Sequence, residues 1–253
     1  MTQPEPEDGI VVGRFDLGER DRVLRILAPG RGRVGVVARG ARGARSRWAG
    51  LDIGAGVRFV SRRAREASGL ETLLSAEVRD PRVRVRGQLD ALALAAYGCE
   101  VASALAREGQ PEPRLYGVLE TLLLLLDAIE GAPAPGLRAA FEAKALTFAG
   151  VAPLLDRCAR CGAALGAGAL RFAPGGGGVL HLGCLRDEDG AAAACGPEWC
   201  AALETLRRAP MRDAVAATLP LGPPTALGDA IAAHLGWMPG SRAMLDALIQ
   251  AAP

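Results

Sequence analysis

Short apolar runs separated by turn residues dominate the first 80 residues of the chain. One turn, Pro29 to Gly32, lies between two runs rich in β-branched residues, which is a signature of a β-hairpin. Five short strands in such a stretch are typical of a small OB-type barrel, although an SH3-like barrel would give the same pattern. The predicted strands are Gly9 to Val12, Arg22 to Leu27, Val34 to Ala38, Val57 to Val60 and a stretch around Leu70 to Val78.

From about residue 88 the apolar positions recur at the three- and four-residue spacing of helices. The pattern predicts a multidomain α+β protein, with an OB-fold nucleic-acid-binding domain at residues 1–82 and a helical domain at 83–253. A metal-binding segment is inserted into the helical domain at about residues 155–200. The helix markers are Leu92, Ala96 and Cys99, then Leu115 to Ile129, then Leu137 to Phe148, then Pro197 as a first-turn residue, and finally Ile231 and Met244 in two last helices.

Composition favours a soluble protein of the cytoplasm. Half of the 253 residues are apolar, yet no apolar run approaches the ~20 residues that cross a bilayer. The polar, acidic stretch from Met1 to Glu7 lacks the apolar core of a secretory signal. A reducing compartment favours metal-bound or free thiols over disulfides for the six cysteines.

Charge is distributed unevenly. Residues 1–87 hold eighteen arginines against eleven acidic residues, whereas residues 88–253 hold twelve basic and seventeen acidic residues. Such asymmetry indicates a basic surface that meets a polyanion. Because lysine occurs only at Lys144, the arginine content also reflects a biased composition, and a merely solvated basic loop fits the charge about equally well.

The densest cationic stretch runs from Arg39 to Trp48, and we interpret it as a flexible loop without bulky apolar anchors. Arginine forks bind phosphate oxygens bidentately, so the loop suits a nucleic-acid backbone. Aromatic residues for base stacking are few, namely Phe15, Trp48 and Phe59, so we expect phosphate-dominated binding with little sequence preference. The predicted DNA-binding residues are Arg31, Arg33, Arg39, Arg42, Arg45 and Arg47, with Arg58, Arg62 and Arg63 in a second rank.

The strongest chemical signal is a pair of short ligand motifs, Cys158-Ala-Arg-Cys161 and His181-Leu-Gly-Cys184, nineteen residues apart. A two-residue spacer lets both members of a pair converge on a tetrahedral ion, so the spacing predicts one structural Zn²⁺ held by Cys158, Cys161, His181 and Cys184. Disulfides or a redox Cys-x-x-Cys are the less favoured interpretations. Cys195 or Cys200 could replace His181 as the fourth ligand.

Several stretches resemble the RecO family of bacterial recombination mediators, and the resemblance covers nearly the whole chain in order. In the barrel they include Gly18 to Val23, the Gly32 turn, Val37 to Arg42, Ser46-Arg47, Gly69 to Leu73 and Ala76-Glu77. Further along they include Phe141-Glu142-Ala143-Lys144, Gly150 to Gly162 and Ser241-Arg242. His181 stands where this family has its third cysteine, which still leaves a competent ligand set.

The resemblance implies a DNA repair protein that binds single- and double-stranded DNA without sequence specificity and anneals complementary strands. It implies RecR, the C-terminal tail of the single-strand-binding protein SSB and, less directly, RecF and RecA as partners in loading RecA onto SSB-coated strands. It also implies a cytoplasmic, nucleoid-associated protein with no membrane partner and no catalysed reaction.

Two other functions compete with this interpretation. A protein-interaction adaptor would dock SSB or RecR through a groove on the helical domain, with Leu115 to Ile129 or the last helices as candidates, although most of these leucines fit a core role better. An enzyme is disfavoured because the chain has only His181 and His234 for histidine chemistry and no P-loop motif.

Overall fold

In a computed structural model, the chain is described for residues 5–63, 69–166 and 168–251. The first four residues of the acidic N-terminal stretch and Arg65 of the basic region lie outside that part of the chain. The protein divides into two compact units, Met1–Ala128 and Ile129–Pro253.

The N-terminal unit contains a closed five-stranded barrel. Its strands are β1 (Glu7–Leu17), β2 (Asp21–Ala28), β3 (Gly32–Ala38), β4 (Gly56–Arg62) and β5 (Glu71–Asp80). They are hydrogen-bonded in the order β1-β2-β3-β5-β4, and β4 closes the barrel against β1. Only the β3–β5 ladder is parallel. This Greek-key arrangement is the OB fold, which decides between the two barrel types that the sequence left open.

Alternation of side chains builds the barrel core. In β3, Val34, Val36 and Ala38 are buried while the residues between them are half-buried, as expected for a strand with one face inward. The predicted hairpin between β2 and β3 is confirmed. Gly32, the last residue of its turn, has φ of +66°. A Cβ atom at Gly32 would lie 2.3 Å from the carbonyl oxygens of Arg107 and Gln110, so only glycine allows that close approach.

Two helices complete the N-terminal unit, α1 (Leu89–Leu105) and α2 (Pro113–Ala128). Cys99 is fully buried in α1, as predicted for a small core residue. Leu115, Leu119 and Leu122 of α2 are also buried, so they belong to the core and not to an open groove. The predicted domain boundary after residue 82 lies just beyond the last barrel strand, whereas the compact unit extends to Ala128. The boundary therefore stays a prediction.

In its described residues, the C-terminal unit combines four α-helices with a small antiparallel sheet. The helices are α3 (Pro135–Phe148), α4 (Pro197–Arg208), α5 (Ala226–Leu235) and α6 (Gly240–Ala251), and Pro197 begins α4 as predicted. The sheet has the order β7-β6-β8, formed by β6 (Leu170–Ala173), β7 (Gly178–His181) and β8 (Ala193–Cys195). The sequence pattern did not predict this sheet within the predicted metal-binding segment.

Buried charges lie among the helices of the C-terminal unit. Arg138 and Glu142 of α3 are 4% and 1% exposed, and Arg242 of α6 is 2% exposed. The ammonium group of Lys144 donates a 2.8 Å hydrogen bond to the carbonyl oxygen of Arg207 in the last turn of α4. Within the described ranges, each helix is too short or too polar to cross a membrane.

Candidate nucleic-acid interface and metal centre

The basic loop from Arg39 to Gly50 is a chain of tight turns anchored in the barrel. Backbone hydrogen bonds of 3.0 to 3.3 Å join Gly43 to Gly40 and Ser46 to Gly43. Trp48 is only 7% exposed and belongs to the barrel core, and its indole nitrogen donates a 2.8 Å hydrogen bond to the Arg39 carbonyl oxygen. The expectation of a flexible loop without a bulky anchor is therefore wrong.

The four loop arginines are all exposed, but they have different partners. The Arg47 guanidinium lies 4.1 Å from the Trp48 ring centroid, a cation–π contact that leaves its charge uncompensated. Arg42 donates to the Gly18 carbonyl oxygen and lies 3.6 Å from Asp16, so it also ties the loop to the β1–β2 hairpin. In the described part of the chain, Arg39 and Arg45 have no carboxylate within 4.0 Å.

Arg31 and Arg33 are engaged by acidic groups at the other end of β3. The Arg31 guanidinium pairs with Glu7 at 2.5 Å and with Glu71. Burial lowers the pKa of Arg31, but the two carboxylates more than offset this, so its pKa lies above the ordinary value. Arg33 donates to the Ser103 carbonyl oxygen at 2.8 Å and to Glu108 at 3.2 Å. Both arginines line a cleft of about 470 Å³.

The second-rank arginines lie at and beyond β4. Arg58 is 3.8 Å from Asp8, and Arg63, with 83% of its side chain exposed, is 3.8 Å from Glu71. Arg62 has no ion pair among the residues that the structure describes. The structure thus separates the predicted set into cations engaged by nearby acids, Arg31 and Arg33 above all, and cations open to solvent.

Of the three aromatic residues singled out for base stacking, two are in the core. Phe59 is fully buried and Trp48 nearly so, whereas Phe15 is 48% exposed. The Arg25 guanidinium lies 4.7 Å from the Phe15 ring centroid, a contact that the sequence pattern did not indicate.

In the C-terminal unit, a turn and a hairpin bring the four predicted metal ligands together. The turn at Cys158 to Gly162 is closed by a 3.0 Å bond from the Gly162 amide to the Cys158 carbonyl oxygen. His181 ends β7, and Cys184 ends the 3-10 turn Leu182–Cys184. Gly178, with φ of +138°, allows β7 to approach Leu154, because a Cβ there would lie 2.3 Å from the Leu154 oxygen.

The geometry of the group fits a tetrahedral metal ion. One ligand atom from each of Cys158, Cys161, His181 and Cys184 lies within 4.8 Å of the others. The Cys161 sulfur is 3.5 Å from His181 Nδ1. Sulfur and nitrogen ligands at ordinary zinc distances and a tetrahedral angle would be about 3.5 Å apart. The other ring nitrogen, Nε2, is 3.2 Å from the Ala164 oxygen, an arrangement that would leave Nδ1 as the ligand atom.

The thiols of the group have shifted acidities. Burial raises the pKa of Cys158, but backbone amides of Cys161, His181 and Arg160 lower it to about 6 overall. The thiol of Cys161, together with burial, raises the pKa of Cys184 to about 11. Metal binding to this group would therefore release protons near neutral pH.

An ion pair next to the metal ligands was not predicted from the sequence. Arg160, inside the Cys158–Cys161 motif, contacts both carboxylate oxygens of Asp189 at 2.8 and 2.9 Å and the Cys184 carbonyl oxygen at 2.5 Å. The pKa of Asp189 is lowered by Arg160 and by the Arg186 amide. The position of Arg160 between two predicted ligands could have indicated a supporting role for this residue. No local sequence feature indicates Asp189 as its partner.

Cys195 and Cys200, the alternatives to His181, lie outside the described metal-ligand group. The neighbouring Cys200 thiol lowers the pKa of Cys195, and the Cys195 thiol together with burial raises the pKa of Cys200. The four residues predicted from spacing are therefore the ones that the fold brings together.

Two family models match the chain. The model described as "Recombination protein O N terminal" matches residues 1–82, and "Recombination protein O C terminal" matches residues 86–237. A DNA repair protein RecO from Anaeromyxobacter sp. (strain Fw109-5) is 37% identical over 97% of both chains. The RecO of Anaeromyxobacter sp. (strain K) is 42% identical over 70% of this chain and 68% of its own length. The RecO of Desulforudis audaxviator is 39% identical over 77% of this chain and 75% of its own length.

Proposed function

Because the chain belongs to the RecO family of DNA repair proteins, we propose that it binds single- and double-stranded DNA through its barrel as a recombination mediator. Its nucleic-acid-binding domain would be residues 1–82, and it would act in the cytoplasm at the nucleoid. The observation that carries the proposal is the anchored loop, which holds Arg39, Arg45 and Arg47 in solvent without acidic partners in the described chain.

The loop suits a phosphate backbone for two physical reasons. Its turns and Trp48 hold the backbone in place, so the arginines lose less conformational freedom on binding than those of an unanchored loop would. A phosphate can displace solvent from these guanidinium groups without breaking an existing ion pair, unlike at Arg31. We therefore place Arg39, Arg45 and Arg47 first in the proposed interface, followed by Arg42, Arg58, Arg62 and Arg63.

The test is a salt titration of DNA binding by the variant Arg39→Ala/Arg45→Ala/Arg47→Ala. With roughly five phosphates neutralised, the wild-type slope of log K against log salt should lie near −3.5 to −4.5. Losing three contacts should reduce its magnitude by about 2 for single strands and about 2.7 for duplexes. The matched control removes three exposed arginines of the C-terminal unit, Arg157, Arg186 and Arg212, at the same cost in net charge. Equal slopes in the two variants would exclude the loop.

The more specific activities of a mediator are also part of the proposal. The protein would anneal complementary strands and, with RecR and RecF, assist RecA loading onto SSB-coated DNA. We propose that it catalyses no reaction, since the mediator role requires none. A gel-shift assay with RecR and a strand-annealing assay would test these steps separately from DNA binding.

An adaptor that docks SSB or RecR with only weak DNA binding is the second candidate. Exposed apolar side chains in the C-terminal unit favour it, since Trp237, Met238 and Met244 are 48%, 57% and 43% exposed. A pull-down with SSB lacking its C-terminal tail separates the two ideas. Retained binding would exclude tail capture, and weak DNA affinity of the wild-type protein alongside tight, tail-dependent SSB binding would favour the adaptor.

We further propose that the metal is one structural zinc ion. Three thiolates and one imidazole form a donor set that zinc prefers, and four protein ligands leave no position for a reactive water. The metal would hold the β6–β7 hairpin against the Cys158 turn and take no part in chemistry.

A further inference from the structure

The outer face of the barrel carries one large exposed aromatic ring. Leu24 and Ile26 of β2 point into the barrel core, so Val23 and Arg25 point outward. On β1, Phe15 lies opposite Val23, and on β3, Val37 lies opposite Val23 as well. Phe15, Val23 and Val37 therefore form an outward row across three strands, and Phe15 is 48% exposed at its end.

The next row explains how the ring is held. Arg25 lies between two glycines, Gly13 on β1 and Gly35 on β3. Because Gly13 has no side chain, the edge of the Phe15 ring can approach this position, where a Cβ would be 3.1 Å from ring atom Cε2. The Arg25 guanidinium is 4.7 Å from the ring centroid, within cation–π range. These two contacts orient the ring before any ligand arrives.

The charge around this row is complementary to a polyanion. Arg25 flanks the row on one side, and Arg39, directly after β3, is exposed on the other. Asp21 is the nearby acid on β2, and one of its carboxylate oxygens accepts a 2.8 Å hydrogen bond from the Gly40 amide. A polynucleotide following the basic loop would pass this face with its phosphates near the arginines.

We propose that Phe15, held by Arg25, is a stacking platform for an unpaired base of single-stranded nucleic acid. Every base has a π-face, so stacking adds affinity without sequence preference. Bases in a duplex are already paired and stacked, so the platform contributes to single strands alone. The proposal rests on DNA binding by the barrel and changes its expected character, because part of the affinity then comes from bases and not from phosphates.

The test compares two probes with equal charge, oligothymidylate and an abasic deoxyribose-phosphate oligomer, each about 12 nucleotides long, which is within the site size of an OB fold. Phe15→Ala should weaken oligothymidylate binding about 5- to 150-fold and leave abasic binding and the salt slope unchanged. Phe15→Tyr should retain wild-type affinity. Leu17→Ala is the matched control, since Leu17 is 43% exposed on the same strand and offers no π-face.

The outcomes separate this proposal from the proposed function. If wild-type protein binds both oligomers equally, or if Phe15→Ala and Leu17→Ala weaken oligothymidylate binding alike, the platform does not exist although the barrel binds DNA. If wild-type protein binds neither oligomer nor a duplex in a salt-dependent manner, the DNA-binding function itself fails. Loss of duplex affinity in Phe15→Ala would also overturn the stacking role.

Discussion

Replacing Glu142 by Gln would test the buried charge network of the C-terminal unit. The Glu142 carboxylate accepts a 2.9 Å hydrogen bond from Arg138 Nε, and the two side chains are only 2% and 5% exposed. Arg138 also pairs with Asp246 at 2.7 Å, and Asp246 accepts a 3.1 Å bond from Arg242. Glutamine keeps the volume and one acceptor oxygen but removes the negative charge.

The expected cost follows from burial. Breaking a buried ion pair by neutralising one partner costs about 3 to 5 kcal/mol, because the remaining charge is desolvated without full compensation. Asp246 keeps its contact with Arg138, so we expect the lower end, about 3 kcal/mol. Gly228 provides the room for this network, since a Cβ there would lie 3.1 Å from Glu142 Oε1 and from Arg242 Cζ. Little space remains for water to enter and compensate.

Urea unfolding followed by circular dichroism measures the effect as a shift in midpoint at an unchanged slope. Asp213→Asn is the matched control, because Asp213 and its partner Arg212 lie in the same unit and their side chains are 57% and 79% exposed. An exposed pair contributes about 1 kcal/mol or less. If Glu142→Gln destabilised the protein no more than Asp213→Asn, the network would not be a determinant of stability.

The remaining predictions concern the metal and the single lysine. Elemental analysis should find one zinc per chain in the wild-type protein and none in Cys161→Ser. Cys195→Ser is the control and should keep its zinc, because Cys195 lies outside the ligand group. Zinc retained in Cys161→Ser would refute the ligand set. The pKa of Lys144 should lie below its ordinary value, because burial and Arg207 disfavour the ammonium form. Between the folded and unfolded pKa values the unfolded state binds more protons, so the free energy of unfolding should rise with pH in that window and be flat below it. An NMR titration of ¹⁵N-lysine-labelled protein has one side-chain signal to follow, and an ordinary pKa would refute the argument.

Local patterns were sufficient to predict the barrel and the helices. Strand alternation, the hairpin turn and helical spacing each depend on residues a few positions apart, and the structure confirms them in β2, β3 and α4. The anchoring of the basic loop by Trp48 was not predicted, because the sequence around a tryptophan does not show whether its ring stacks on a base or packs in the barrel core. The β6-β7-β8 sheet was missed because its strands of three and four residues are too short for a periodic signal.

The candidate metal-ligand group was predictable for a different reason. Two-residue spacers and the chemistry of thiols restrict the choice strongly, so Cys158, Cys161 and Cys184 could be named without a fold. The choice between His181 and Cys195 needed the strand order of the sheet, because both residues lie opposite Leu170 but on different sides of β6, and a sequence alone does not give that order. The Arg160–Asp189 contact joins residues 29 positions apart, and only the folded hairpin brings them together.

The small apolar cluster around the candidate metal-ligand group supports the proposed structural role of coordination. Only Cys158, Ala173 and Leu180 are buried in this local cluster. Burying one leucine stabilises a fold by about 1.5 to 3 kcal/mol, whereas ordering each backbone residue costs about 1 to 2 kcal/mol. The strands of the hairpin have packing of their own, since Leu170, Phe172 and Val179 are buried and the Phe172 ring contacts Trp199. The two ligand turns, Cys158 to Gly162 and Leu182–Cys184, depend more on the Arg160–Asp189 pair and the four ligands. Removing the metal should thus loosen these two turns first, while α3 remains held by the network of Arg138 and Glu142.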